Sequence, residues 1–300
     1  MTKHNARLLG EAEVIALATD GSSYTEGAVQ ETIFLAQGCG AKIVILHVIS
    51  VGSGSTTGPR ASAVKVPQEI SDYLDNIKKM ADDHGITCDI VIEQSYYSPE
   101  KTIVDLAYKH NADVLIMGRH GKRGLIKLLV GGMTSKVIGQ GFPQTLVVPS
   151  HATVQGEKIL VATDGSESGQ AATETAISMG QNCTTLKEIY ILSVADSEDE
   201  LEASQERVET VCAKGQEMAP RPTFHPIALV GKPSADVIAQ TAEEKQVDMI
   251  LVGGHGKGLS KMLMGHVTEK VIGKAHCAVL VIEKKEVEEE TQEDASENSE

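Results

Sequence analysis

A chain of 300 residues, 41% of them apolar and 23% charged, has room for two domains of roughly 100 to 150 residues, each able to bury its own core. A formal net charge of −15 argues against nucleic-acid or anionic-membrane binding, because phosphate backbones are held by clusters of Lys and Arg. The five cysteines, an odd number without a Cys-x-x-Cys pair, argue against a disulfide framework and read as buried thiols in a reducing compartment. No apolar run approaches the roughly 18 residues of a membrane helix, and residues 1–10 lack the apolar core of a signal peptide, so the expectation is a cytoplasmic protein.

In chain order, residues 14–19, 43–48, 88–92, 114–117 and 146–148 are short runs rich in Val and Ile, which predict buried strands. Between them, residues 26–37, 68–84, 101–110 and 134–139 place apolar side chains three and four apart, the spacing of helices. Ser98-Pro99 reads as a helix start, because proline in the first turn loses an N–H that has no partner there anyway. The second half repeats the order, with strands expected at 159–163, 188–194, 223–229, 249–252 and 279–282. Strict alternation predicts βαβ units, hence parallel sheet covered on both faces with right-handed crossovers.

The halves are copies. Ala18-Thr19-Asp20-Gly21-Ser22 recurs as Ala162-Thr163-Asp164-Gly165-Ser166, His120-Gly121-Lys122 as His255-Gly256-Lys257, and Lys136-Val137-Ile138-Gly139 as Lys270-Val271-Ile272-Gly273. Leu146-Val147-Val148 recurs as Leu280-Val281-Ile282. The offset falls from 144 to 134, which one extra loop at residues 52–58 of the first copy accounts for. The repeat is far longer than the roughly 20 to 50 residues of solenoid units. We therefore expect one domain over 11–150, a second over 156–284 and a disordered acidic tail over 285–300. Residues 283–300 hold nine acids against Lys284 and Lys285, leaving −8 for the rest. Truncation after Ile282 is accordingly expected to change the melting temperature little.

In open parallel sheets ligands bind beyond the carboxyl ends of the strands, where strand order reverses. There the sequence puts Asp20-Gly21-Ser22, His47-Val48 and Gly118-Arg119-His120-Gly121, then nine residues, then Gly131-Gly132 leading into a helix at Met133-Thr134. Glycines let backbone amides approach an anion closely, and Lys122 and Arg123 lie in the intervening loop. The competing reading is that these glycines only make turns; a similar loop at the same topological place in both halves favours a phosphate site.

Taken together, the paired Asp-Gly-Ser after the first strand, Gly-x-x-Gly-(nine)-Gly after the fourth and the closing Lys-Val-Ile…Leu-Val-Val resemble the universal stress protein family in its tandem form, over roughly 11–149 and 156–284. The resemblance implies two tandem doubly wound five-stranded parallel-sheet domains of the adenine nucleotide alpha hydrolase-like kind, with ATP as ligand and Mg2+ as a candidate companion. By resemblance, Asp20 contacts the adenine region, Val48 lines the nucleoside pocket, and Gly118, Arg119, His120, Gly121, Gly131, Gly132, Met133 and Thr134 surround the phosphates. Where the family has Ser or Thr this chain has Gly132, and one lost charge-assisted hydrogen bond costs about 1.5 to 3 kcal/mol, roughly a ten- to hundredfold loss of affinity. The second copy keeps Asp164, Val194, Gly253, His255, Gly256, Gly265 and Thr268. It has only eight residues before Gly265, however, and His266 in the hydroxyl position, so it is expected to be a degenerate site.

No Gly-x-x-x-x-Gly-Lys-Ser/Thr follows a strand, and Gly52-Ser53-Gly54 follows the second strand rather than the first, without the helix a dinucleotide fingerprint needs. His47, His120 and His255 are the candidate bases, but no nucleophile is placed beside them. The histidines give no metal-ligand spacing. Asp20 and Asp164 suit either magnesium or a helix-capping role. Three readings stay open: a regulatory adenine-nucleotide binder with an unknown protein partner, a slow ATPase, and an interaction scaffold without nucleotide. The closing strands, 146–148 and 280–282, are expected to be sheet edges that pair about a pseudo-twofold axis, with homodimerisation of whole chains as a further expectation.

Overall fold

The computed structural model describes residues 8–51, 66–120, 130–152, 154–255 and 264–284. The expected loop at 52–58, Gly121, Lys122, Arg123, Gly256 and the tail over 285–300 lie outside the described residues. The first half runs β1 (Val14–Ala18), a 3-10 turn at Ser23–Thr25, α1 (Glu26–Cys39), β2 (Lys42–Ser50), α2 (Gln68–Asp83), β3 (Cys88–Ser95), α3 (Pro99–Lys109), β4 (Val114–Gly118), α4 (Gly132–Ile138) and β5 (Gln144–Val148). The second runs β6 (Lys158–Ala162), α5 (Glu167–Asn182), β7 (Glu188–Ala195), α6 (Leu201–Met218), β8 (Thr223–Val230), α7 (Ser234–Glu244), β9 (Met249–Gly253), α8 (His266–Lys274) and β10 (Ala278–Ile282). Every strand and helix expected from the pattern is present. Ser98 sits at the N-cap of α3 with Pro99 in its first turn.

All ten strands form one sheet in the order β3-β2-β1-β4-β5-β10-β9-β6-β7-β8. Each half is a five-stranded parallel unit whose order reverses between β1 and β4. The halves meet where β5 and β10 pair antiparallel, Val147 opposite Val279 and Leu146 opposite Leu280. The two closing strands thus remove one another's exposed edge, the pairing the sequence led us to expect.

Uninterrupted apolar strands such as Val14–Ala18 arise because both faces are covered. Ile15 and Leu17 point into a core that α1, α2, α5 and α6 share, and that core runs through Leu146, Val148, Leu280 and Ile282 without a break between halves. On the opposite face, Val14, Ala16 and Ala18 pack under α3 and α4. Val147, Val279 and Val281 join Ile138 with α7 and α8 there. Burying one Leu or Ile side chain contributes about 1.5 to 3 kcal/mol, so the junction strands weld the halves into one cooperative body.

The segment joining the halves crosses α1. A Cβ on Gly27 would strike the Pro149 and Ser150 carbonyl groups, so only glycine lets that segment pass. One turn on, the Val154 amide donates to Glu31 Oε1 at 3.0 Å. Glu31 is 4% exposed, and burial pushes its pKa up to about 7 against the lowering effect of the Val154 hydrogen bond, with Asp248 adding to the rise. All five cysteines are free thiols, four of them buried and Cys39 partly so. Among the described residues no helix is long and apolar enough to cross a membrane.

Candidate functional site

Three strand ends converge at the switch point of the first half. Ala18 pairs with Leu46 and with Met117, so the residues that follow β1 lie between His47-Val48 and Gly118. Gly21 takes φ +77°, a conformation side chains rarely adopt, and this turns the chain away from the strand axis. Asp20 does not cap α1; its Oδ1 accepts from Ser22 N at 3.1 Å and from Ser22 Oγ at 2.6 Å, holding the turn. Thr25 occupies the N-cap position instead, without a side-chain cap bond. His47 is buried and its Nδ1 donates to the Thr19 carbonyl at 2.9 Å, a packed role rather than that of an available base.

Sequence reasoning missed the polar lattice behind this turn. Thr25 Oγ1 lies 3.0 Å from Thr19 Oγ1, 2.9 Å from the Tyr73 hydroxyl of α2, and donates to the Ser22 carbonyl at 2.7 Å. Ile70 of α2 covers Gly21 so closely that a Cβ there would collide with it. Nothing marks Ile70 and Tyr73 except their place on the apolar face of α2, so a sequence reader sees only core.

At the carboxyl end of β4, Gly118 and Gly131 come together. Gly118 is buried between the Tyr24 and His120 carbonyls and Thr25 Cγ2, each 3.1 to 3.3 Å from where a Cβ would stand. The Gly131 amide donates to the Arg119 carbonyl at 2.9 Å, closing the intervening loop. Thr134, which is buried, donates through Oγ1 to the Gly118 carbonyl at 3.0 Å and ties the start of α4 to the end of β4. Thr134 is therefore occupied, and it does not supply the hydroxyl that Gly132 lacks. Gly132 and Met133 are exposed, and among the described residues nothing lies within 4 Å of a Cβ added at Gly132.

Arg119 is placed differently from the expectation. Its amide donates to the Val148 carbonyl, and its guanidinium crosses to the other half, with Nη1 3.0 Å from the Gly273 carbonyl and Nη2 2.6 Å from the Ala275 carbonyl. It clamps the carboxyl end of α8, where a cation meets the negative end of the helix dipole. Burial lowers its pKa from the usual guanidinium value, and it remains charged. Arg119→Met is expected to cost about 1.5 to 3 kcal/mol in denaturant unfolding, the range for charge-assisted hydrogen bonds. A change below about 0.5 kcal/mol, ordinary for surface substitutions, would contradict the clamp.

The second half reproduces the frame and changes the contents. Gly165 repeats the positive φ, Asp164 Oδ1 accepts from Ser166 N at 2.9 Å, and Ser166, not Asp164, caps α5 by accepting from Gly169 N at 3.2 Å. Thr268 donates to the Gly253 carbonyl at 2.7 Å, and the Gly265 amide to the Gly254 carbonyl at 2.9 Å. Arg207 of α6 lies over Gly165 and donates to Ser193 Oγ at 2.7 Å, where the first half has hydrophobic Ile70 and His47. Val194 is partly buried, as Val48 is, and His266 is exposed.

Glu283 is the largest departure. Its Oε1 lies 2.6 Å from His255 Nδ1, with side-chain exposures of 11% and 9%, and its Oε2 accepts from Ser168 Oγ at 3.3 Å. A Cβ on Gly254 would run into this carboxylate, so Glu283 fills the space beside the Gly254–Gly265 bridge. Glu283 N also donates to the Pro143 carbonyl of the first half at 2.9 Å. Glu283 therefore belongs to the folded body. Truncation after Ile282 removes the His255 partner, and a neutral truncation has to fall after Lys284.

The sequence model of the universal stress protein family matches residues 12–149 and again 156–283. The chain belongs to the universal stress protein family. A universal stress protein of Methanocaldococcus jannaschii is 32% identical over 145 residues, 43% of this chain and 82% of that one. One from Mycolicibacterium smegmatis is 24% identical over 289 residues, spanning 89% of this chain and 96% of its own, which matches the tandem arrangement. The crystal structure of a universal stress protein from Archaeoglobus fulgidus shares the fold with a TM-score of 0.69 at 19% identity, covering 92% of this chain and 98% of that one. Another universal stress protein has been solved in complex with cAMP; it covers 43% of this chain and 98% of its own at 21% identity, with a TM-score of 0.35.

Proposed function

We propose that this tandem universal stress protein binds adenine nucleotide, ATP above all, mainly in its first domain, and acts in the stress response as a regulator rather than as an enzyme. The observation that carries the reading is the asymmetry between the two glycine loops: the first has nine residues between Gly121 and Gly131 and then Gly132, the second eight between Gly256 and Gly265 and then His266. A loop shorter by one residue sets its amides differently around an anion, whereas the first keeps the family's spacing up to an exposed helix start. Asp20 and Val48 would meet the base and ribose. Gly118, His120, Gly121, Gly131, Gly132 and Met133 would surround the phosphates, with Thr134 bracing the loop and Arg119 holding the second domain. The domains are taken as 11–150 and 156–284, with 285–300 as an acidic tail. Mg2+ would accompany the triphosphate.

Regulation needs the nucleotide to favour one conformation of the glycine loop and so alter the surface offered to a protein partner or a second chain. Asp20→Ala tests the base end. It is expected to weaken ATP and adenosine by similar factors in calorimetry, with circular dichroism unchanged. Loss of ATP alone, with adenosine unaffected, would place Asp20 at the phosphates and overturn the assignment.

A further inference from the structure

A sheet that does not close on itself keeps two outer strands, and among the described residues these are β3 and β8. Each turns a row of amides and carbonyls outward, where another strand can pair with them. The two edges differ. In β8 the Thr223 amide donates to the Lys187 carbonyl and the Gly231 amide to the Ala195 carbonyl of β7, so odd-numbered residues bond inward and Phe224, Pro226, Ala228 and Val230 face out. The Phe224 amide is taken by Gln216 Oε1 at 3.3 Å, and Pro226 has no N–H, so this edge is blunted at its middle.

No proline guards β3. The Ile43 amide of β2 donates to the Thr87 carbonyl and the Val51 amide to the Ser95 carbonyl, which leaves Cys88, Ile90, Ile92 and Gln94 facing out. Lys78 of α2 covers the Cys88 carbonyl, and the Gln94 amide is held only by the adjacent Glu93 Oε1 at 3.3 Å, on the surface. Among the described residues the outward amides and carbonyls of Ile90 and Ile92 meet no partner. Apolar surface follows the same line: Ile92 is 38% exposed, Tyr96 46%, and Tyr97, just beyond the strand, 97%. Exposed aromatic side chains beside a free strand edge suit the anchoring of a protein partner.

Charge decides which partner. Asp89 and Glu93 lie on one face of β3 and both are exposed. Two copies of β3 pairing antiparallel about Val91 would satisfy all the outward residues, but that register sets Asp89 opposite Glu93 twice, and like charges directly opposite destabilise a strand pair. The acids that disfavour a second copy favour an incoming strand with cations at the same spacing.

We propose that β3 is a docking edge for an extended basic segment of another protein, which adds to the sheet as a further strand with Lys or Arg opposite Asp89 and Glu93 and apolar side chains beside Ile92. β2 and β1 separate this edge from β4 and the first glycine loop, and docking there requires no nucleotide.

The probe is the synthetic peptide Thr-Lys-Val-Thr-Val-Lys-Val-Thr, whose lysines have the spacing of Asp89 and Glu93, titrated into the full isotope-labelled chain. The control peptide has glutamate in place of both lysines. The lysine peptide is expected to bind with a dissociation constant below about 1 mM, to shift the Ile90 and Ile92 amide signals and slow their hydrogen exchange, and to weaken as salt rises. The glutamate peptide is expected to bind at least about tenfold more weakly. Ile92→Pro deletes an outward N–H, leaves the bonds to β2 in place and is expected to weaken the lysine peptide at least about tenfold. Glu93→Lys keeps the backbone intact and is expected to cost about threefold, which decides the matter if Ile92→Pro folds poorly. The proposal is overturned by no binding of the lysine peptide at about 5 mM, by equal binding of the two peptides, by an affinity that both variants leave unchanged, or by signals that move at β8 instead. A dimer of the chain that Ile92→Pro dissociates would also overturn it, since a second copy would then cover the edge.

Discussion

Gly132→Glu is expected to lower ATP affinity by at least a hundredfold while leaving the chain folded. The substitution suits the backbone: Gly132 is the first residue of α4, it is exposed, and among the described residues a Cβ there meets nothing within 4 Å, so the helix tolerates a side chain. The carboxylate would stand where the reading puts phosphate oxygens, and a like charge a few ångströms away in a partly desolvated loop costs about 3 kcal/mol or more. Gly131→Glu would be a poorer choice. Gly131 is buried, and a Cβ at its counterpart Gly265 would press against the Gly254 carbonyl at 2.9 Å. Two controls sharpen the result. Gly132→Ser restores the hydroxyl usual in the family and is expected to tighten ATP about tenfold. His266→Glu makes the same insertion in the second half and is expected to leave ATP binding intact, because that half has the shorter glycine loop. Calorimetry showing ATP lost in His266→Glu and kept in Gly132→Glu would reverse the assignment of the halves.

The second large effect is on stability against pH, and it comes from Glu31. Its folded pKa is raised from 4.5 to about 7, chiefly by burial, so between those values the folded chain holds a proton that the unfolded chain has released. Stability from this group is therefore present in full below pH 4.5 and declines as pH rises to about 7, a loss of about 3.5 kcal/mol at about 1.4 kcal/mol per unit. Glu31→Gln removes the titration and keeps an oxygen for the Val154 amide. Its new amide N–H groups face the position of Oε2, which has no partner, so the absolute stability of the variant can fall. The diagnostic is the slope. Urea unfolding between pH 5 and 8 is expected to show a decline in the native chain that is absent in the variant, and parallel curves for the two would contradict the account.

Much of the fold was legible because the physics that sets it is local. Val14–Ala18 has to be a strand covered on both faces, since five apolar residues in a row have no side to turn to water. The repeat of Leu146-Val147-Val148 as Leu280-Val281-Ile282 identified two edges that each needed a partner, and they found one another. Gly118 was legible for the same reason, as a place where the backbone needs close approach.

What escaped the sequence is made by contacts across long separations. Arg119 reads as part of the glycine turn in which it lies, and only the end of α8, 154 residues on, draws its guanidinium across to the other half. Glu283 reads as the first residue of an acidic tail until Gly254 is seen to leave room for its carboxylate. Glu31 follows helical spacing on an otherwise apolar face and gives no sign that the inter-half segment will cross it. Tyr73 is one aromatic on an amphipathic helix, and its hydroxyl acquires meaning only beside Thr25. In each case the side chain is ordinary and its partner lies in another element.

The account stands on the inequality of the two switch points, and native mass spectrometry of the freshly purified chain measures that inequality directly. It predicts one adenine compound for each chain, with ATP added in excess raising the occupancy of that one site and no other. Two nucleotides for each chain, or a chain that carries none and shows no thermal shift at millimolar ATP, would contradict it.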